Sequence, residues 1–128
     1  MAGEMILVDT SILIDYYRKT DKSNAAWIRL IRDGYEFSVS AITKYEIYAG
    51  ASAGQLSFWD TVFKSITIIP FDGICVDVAV KINANLKRKR KKIDLADLFI
   101  AATAVAHQLT FSTLNRKHFD RIEELRVL

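Results

Sequence analysis

Three acidic residues lie close to predicted junctions between strands and helices. Asp9 directly follows an apolar run at residues 5–8, Glu46 lies in the second turn of a helix that follows a strand, and Asp97 lies near the start of another helix. Carboxylates that share one pocket repel each other unless a cation neutralises them. If these residues converge, they therefore form a site for a hard cation such as Mg²⁺ or Mn²⁺, which prefers carboxylate oxygens.

Each of these acids also has a local explanation, because acidic side chains commonly cap helices. Asp94 lies three residues before Asp97 on the same helix face, so Asp94 fits an N-cap with Asp97 facing the positive helix end. Asp9 fits an N-cap as well. Glu46 fits a capping box begun by Thr43, but Ser40 is the better N-cap because it directly ends the strand. Glu46 is then left without a capping role.

Apolar, β-branched runs alternate with amphipathic helical segments along the chain. Strands are predicted at residues 5–8, 37–40, 66–69 and 109–113, with a short fifth strand at 126–128. This order predicts an α/β fold in which a mainly parallel sheet is covered by helices on both faces. Right-handed crossovers place all strand carboxyl ends at one edge of such a sheet. The polar residues that we expect at this edge are Asp9, Glu46, Asp97 and Asn115.

The composition predicts one domain over residues 1–128, since 51% of the residues are hydrophobic and only one is proline. A single cysteine, Cys75, cannot form an internal disulfide or a cysteine-based zinc site, and it fits a reducing compartment. His107 and His118 have no metal-binding partner three or four residues away, so both are interpreted as structural or surface residues. Without a signal-peptide pattern or an apolar run of bilayer length, we expect a cytoplasmic protein and no membrane contact.

Six consecutive basic residues are the strongest charge feature of a chain whose net charge is +3. They follow a predicted helix, and the negative helix end explains two or three of them. The whole run, just before the acidic helix, predicts contacts with a phosphate backbone or a partner. The residues assigned to this backbone contact are Lys87, Arg88, Lys89, Arg90, Lys91 and Lys92.

Four short motifs together resemble the PIN domain, specifically the VapC-type toxin ribonucleases of toxin–antitoxin pairs. They are found at residues 8–11, 40–46, 97–104 and 113–119, so the resemblance spans nearly the whole chain. It implies an α/β/α sandwich with about five strands in a mainly parallel sheet. It also implies metal-dependent cleavage of RNA and a cognate VapB-like antitoxin.

The resemblance assigns roles to individual residues. Asp9 and Asp97 match the direct metal ligands of the family and Glu46 completes the acidic site. Asn115 matches a fourth position that is often Asp, and a neutral amide is a weaker ligand there. The auxiliary residues are Thr10, Asp94 and Thr113.

These observations predict an endoribonuclease that hydrolyses RNA phosphodiester bonds with Mg²⁺-activated water. An inactive PIN-like module that binds RNA or protein, and a metal-dependent DNA nuclease, are the alternatives. A homodimer is also expected. Its interface, or the antitoxin groove, would draw on aromatic side chains, although core packing explains most of them: Tyr16, Tyr17, Trp27, Tyr48 and Trp59.

Overall fold

The computed structural model describes residues 3–128, in which four strands alternate with seven helices. The strands are β1 (Met5–Val8), β2 (Glu36–Ser40), β3 (Thr67–Ile69) and β4 (Thr110–Ser112). The helices are α1 (Thr10–Arg18), α2 (Ala26–Arg32), α3 (Ala41–Gly50), α4 (Leu56–Lys64), α5 (Gly73–Arg88), α6 (Leu95–Ala106) and α7 (Arg116–Phe119). Within residues 3–128, no helix is long and apolar enough to cross a membrane.

The four strands form one parallel sheet in the order β3-β2-β1-β4. Leu7 of the central strand β1 lies opposite Ser38 on one side and Phe111 on the other. The chain runs outward from β1 through β2 to β3 and then returns to the far side of β1 with β4. The strand order therefore reverses between β1 and β4. Open α/β sheets bind their ligands beyond the carboxyl ends of strands at such a reversal.

Helices cover both faces of the sheet, because successive strand side chains point to opposite sides. Ile6 and Val8 of β1 pack with residues of α1, α2 and α4, whereas Leu7 packs with residues of α5 and α6. The predicted α/β/α sandwich is confirmed. The aromatic side chains considered for an interface belong to the first of these layers, where Trp27 and Trp59 are only 7% and 2% exposed.

The sheet differs from the expectation at its fifth strand. Residues 126–128 form only a single parallel bridge, between Phe111 and Val127. The Phe111 N–H donates to Arg126 O at 2.8 Å, and the Leu128 N–H donates to Phe111 O at 2.7 Å. Alternate residues of a strand direct their backbone groups to opposite edges, so the three-residue β4 has one residue available on its outer side. That segment is therefore a bridge and not a strand.

The end of α5 divides the basic run. The Lys91 N–H donates to Leu86 O at 2.9 Å and the Arg90 N–H donates to Lys87 O at 3.0 Å, while Arg90 has φ of 57°. This is a Schellman motif with Arg90 in the left-handed region that ends the helix. Lys87 and Arg88 are consequently helical, and the later basic residues lie in the turn that leads to α6.

Candidate active site

Asp9 is the first residue after β1 and is 3% exposed. Its carboxylate does not cap α1. Instead, Oδ2 accepts hydrogen bonds from Ser11 Oγ and Thr113 Oγ1, both at 2.8 Å. Because two donors hold the same oxygen, the carboxylate has a fixed orientation, and Oδ1 is left for the pocket. The local capping explanation therefore fails for Asp9.

A hydroxyl network ties the loop after β4 to this carboxylate. Thr113 Oγ1 accepts the Asn115 N–H at 2.9 Å, and Ser11 Oγ accepts the Leu114 N–H at 3.1 Å. Thr113 is 7% exposed, and its bond to the Asp9 carboxylate is buried. The sequence had placed Thr113 in an auxiliary role but assigned none to Ser11. Its position two residues after a strand-terminal Asp was the available signal.

Glu46 extends from the second turn of α3 toward the same pocket. Thr10 Oγ1 donates to Glu46 Oε1 at 2.7 Å and lies 3.0 Å from Thr43 Oγ1, and Thr43 is fully buried. The helix is capped by Ser40, whose hydroxyl accepts the Ile42 N–H at 3.1 Å. The expectation that Ser40 is the cap is therefore confirmed, and Glu46 has no capping role.

Asp97 lies in the first turn of α6, and its side chain is 24% exposed. Burial raises the pKa of its carboxyl above the ordinary value. Three negative charges raise this pKa further, those of Asp9, Asp94 and Glu46. His118 acts in the opposite direction, with Nδ1 at 3.8 Å from Asp97 Oδ2. His118 is exposed, as expected, but it lies beside an acidic residue of the site.

The predicted site residues meet in a pocket of about 570 Å³ at the carboxyl edge of the sheet. Asn115 is exposed there as the N-cap of α7, and its side-chain amide makes no capping bond. The pocket also contains two basic side chains that sequence reasoning had not assigned, Arg18 and Lys19. The predicted residues that line it are Asp9, Thr10, Glu46, Asp97 and Asn115.

Asp94 corrects the capping-box interpretation. It occupies the N-cap position of α6, and its backbone carbonyl accepts the Leu98 N–H at 2.9 Å, but its side chain makes no capping bond. The exposed carboxylate lies instead in a small depression with Lys92, His118 and Arg121. Asp94 acts on Asp97 through its charge and is not part of the pocket lining.

A basic groove lies beside the acidic pocket and is lined by Arg90, Lys91, Lys92, Lys117, Asp120 and Arg121. The depression that contains His118 shares Lys92 and Arg121 with this groove. A continuous surface thus leads from the groove to Asp97.

The basic residues at the C-terminal end of α5 have local partners instead. Lys89 pairs with Glu123, and Arg88 donates to Asn85. The six basic residues therefore do not form one uniform contact surface.

Comparisons with known proteins cover nearly the whole chain. The sequence matches the PIN domain family over residues 6–125. It is 38% identical over 120 residues to Ribonuclease VapC1 of Methanocaldococcus jannaschii, covering 93% of this chain and 82% of that protein.

Solved structures with a similar fold include toxin–antitoxin proteins. The VapBC2 structure of Rickettsia felis, bound to a promoter DNA fragment, has a TM-score of 0.86 at 25% identity and covers 97% of each chain. A toxin–antitoxin complex of Klebsiella pneumoniae has a TM-score of 0.71 at 27% identity and covers 94% of each chain. The similarity therefore extends over nearly the whole chain.

Proposed function

We propose that this chain, which belongs to the PIN-domain family, is the endoribonuclease toxin of a type II toxin–antitoxin pair and hydrolyses RNA phosphodiester bonds. The observation that carries the proposal is the pocket in which Asp9, Glu46 and Asp97 meet at the carboxyl edge of a parallel sheet. The relative named Ribonuclease VapC1 supports RNA as the substrate.

The donor set of this pocket fits Mg²⁺, with Mn²⁺ as a substitute. Asp9, Glu46 and Asp97 offer only carboxylate oxygens, and their mutual repulsion is what a divalent cation relieves. Asp9 and Asp97 would hold the ion directly, and Glu46 would hold it directly or through water. When bound, the ion polarises a phosphoryl oxygen and lowers the pKa of the attacking water.

The protein groups around the acids hold them ready for this role. Ser11 and Thr113 fix the Asp9 carboxylate through Oδ2, and Thr10 fixes Glu46 through Oε1. Side chains held in this way lose little freedom when substrate binds. The Asn115 amide, at the pocket surface, would orient a water molecule or a phosphate oxygen.

The basic groove would bind the RNA backbone on the approach to the pocket. Arg90, Lys91, Lys92 and Lys117 line it, so four cationic side chains are available for phosphates, while Arg121 donates to Lys92 O at its edge. Contacts of this type position the strand without reading its bases. Two of the other basic residues, Arg88 and Lys89, have local partners. Together with Lys87 they would attract RNA at long range and would not contact a phosphate directly.

A VapB-like antitoxin is the proposed protein partner, supported by the similarity to the K. pneumoniae toxin–antitoxin complex. Large apolar side chains are exposed next in sequence to site residues, namely Tyr45, Leu95 and Leu114 at 72%, 64% and 50% exposure. They suit a partner that covers the pocket. Exposed Ile74 and Val80 on α5 support a homodimer, and we place both assemblies in the cytoplasm, where RNA is available.

Cleavage of a panel of structured RNAs tests the proposal, with Mg²⁺, with Mn²⁺ and with EDTA. We expect the wild-type protein to cut with either metal and not with EDTA. Asp97→Asn should abolish cutting while leaving the fold and RNA binding intact, because the change removes charge from an acidic pocket. Asp77→Asn is the matched control, since Asp77 is exposed on α5, outside the pocket.

Other outcomes separate the alternative functions. Metal-dependent cutting of single-stranded DNA but not RNA would indicate a DNA nuclease. RNA binding without cutting, together with no heat of Mg²⁺ binding in calorimetry, would indicate an inactive binding module and would overturn the proposal. Equal cutting by wild type and Asp97→Asn would show that Asp97 is not part of the active site.

A further inference from the structure

A second group of metal-binding side chains lies where α5 begins and α6 ends. One ligand atom from each of Asp72, Cys75 and His107 lies within 4.8 Å of the other two. The sequence gave no sign of this group, because His107 has no suitable partner within a helical turn. Only the packing of α5 against α6 brings His107 close to Cys75.

The backbone positions of these residues are fixed by the helix ends. Asp72 is the N-cap of α5, and its Oδ1 accepts the Cys75 N–H at 3.2 Å. The N-cap side chain and the side chain three residues later face each other at a helix start. His107 is the C-cap of α6, held by a Schellman motif in which the Leu109 N–H donates to Ala104 O at 2.9 Å.

The three side chains differ in exposure in a way that suits ion entry. Cys75 is fully buried, whereas Asp72 and His107 are exposed above it. Two of the three ligands are thus open to solvent, and the third supplies a buried sulfur.

We propose that Asp72, Cys75 and His107 bind a Zn²⁺ ion, with a water molecule as the fourth ligand. Sulfur, imidazole nitrogen and one carboxylate oxygen form a donor set that zinc accepts and that Mg²⁺ does not favour. Zinc bonds of about 2.0–2.3 Å place tetrahedral ligand atoms closer together than 4.8 Å. Rotation of the two exposed side chains closes this difference, and the thiol releases its proton to solvent when the ion binds.

The bound ion would tie the start of α5 to the end of α6. These two helices pack against each other, and α6 carries Asp97 at its opposite end. The site contains none of the residues that line the acidic pocket. Zinc binding and RNA cleavage are consequently separate properties, and each can fail without the other.

Co²⁺ is the probe, because it replaces Zn²⁺ and absorbs light when it is bound to sulfur. The full chain is titrated with Co²⁺ in the presence of excess Mg²⁺, which occupies the oxygen-only pocket. We expect a saturable sulfur-to-cobalt charge-transfer band that Zn²⁺ abolishes by displacement. No such band under a large excess of Co²⁺ would overturn the proposal.

Three variants test the ligands. Cys75→Ala should remove the band, and His107→Gln should weaken Co²⁺ binding by more than the about 10–100-fold that changes around a metal ligand cost. Asp72→Asn should also weaken binding, and because Asn still caps α5 the helix is retained. His107 is exposed, so its variant is expected to fold; an unchanged Co²⁺ affinity in folded His107→Gln would overturn the assignment.

Asp97→Asn is the control for the acidic pocket and should leave the band and the Co²⁺ affinity unchanged. A thermal readout complements the spectra. Zn²⁺ should raise the melting temperature of wild type and of Asp97→Asn, but not that of His107→Gln, since only a ligand of the folded state stabilises it.

Discussion

The acidic pocket and the Asp72, Cys75 and His107 group are two polar clusters built in different ways. In the pocket, carboxylates come from segments that follow or precede strands, and hydroxyl groups hold them in place. In the other group, the ligands come from two helix ends that pack together. The first cluster offers only hard oxygen donors, and the second combines sulfur, nitrogen and oxygen.

The two donor sets suit different cations. Carboxylates that repel each other are stabilised in their ionised form by a divalent cation, which is why Mg²⁺ is the ion proposed for the pocket. In the other group only one of the three donors is a carboxylate, so repulsion between the donors is much weaker. Its sulfur and nitrogen atoms select a cation by the softness of the ion. Variants of each cluster should therefore change one metal response and leave the other unaltered.

The largest effect is expected from Asp9→Asn. Asn can still accept hydrogen bonds from Ser11 and Thr113, so the local structure is retained, but the buried charge that would hold Mg²⁺ is lost. Metal assistance is worth several kcal/mol in a transition state, so RNA cleavage should fall by about a thousandfold or more. Initial cleavage rates measure this loss, and circular dichroism checks the fold. An Asp9→Asn protein that cleaves RNA at the wild-type rate would show that the acidic pocket is not the site of cleavage.

A smaller effect is expected from Thr113→Val, which removes one of the two donors to Asp9 Oδ2 and keeps the shape of the side chain. Changes of this kind around a metal ligand cost about 10–100-fold in activity or metal affinity. Metal-dependent cleavage should fall within that range, whereas the Co²⁺ band at Cys75 should persist.

Ser11→Ala provides the matched test of this support. Ser11 and Thr113 bond the same oxygen, so the double variant should lose less than the product of the two single losses. If the losses of cleavage activity in the two single variants multiply in the double variant, the two hydroxyl groups act independently of each other.

The smallest effect concerns stability and pH in the metal-free protein. The pKa of Asp97 is raised in the folded state, mainly by burial. The protonated carboxyl therefore stabilises the fold fully at pH values below the unfolded-state pKa near 3.8. This stability is lost as the pH rises through the higher pKa of the folded state. Asp97→Asn removes this loss of stability, because Asn carries no charge at any pH. In EDTA at neutral pH, the variant should melt a few degrees higher than wild type, and the gap should close on acidification.

Thermal melts across a pH series measure this difference, and Asp77→Asn should follow wild type throughout. Added Mg²⁺ should narrow the gap by stabilising only the wild type. A metal-free Asp97→Asn protein that melts lower than wild type at neutral pH would mean that the Asp97 charge is stabilising, which contradicts its repulsive surroundings.

Much of the fold could be predicted because its signals are local. The run at residues 5–8 alternates between two buried faces, and Ser40 caps α3 as its position at the end of β2 indicates. The prediction of a fifth strand was wrong, because strand pairing depends on how many backbone groups of the short β4 are free to form hydrogen bonds on its outer side. The side-chain cap by Asp94 was wrong for a similar reason, because basic residues from α7 and the adjoining loop surround its carboxylate.

The sequence by itself determined the α/β alternation and the position of each acid relative to a strand or helix end. Those features depend on periodicity and capping, which act over a few residues. Only the tertiary structure decided that Ser11 and Thr113 share Asp9 Oδ2, that His118 lies beside Asp97, and that His107 lies within reach of Cys75. Contacts of that kind join residues as much as 104 positions apart, so they depend on how strands and helices pack and not on any pattern within one element.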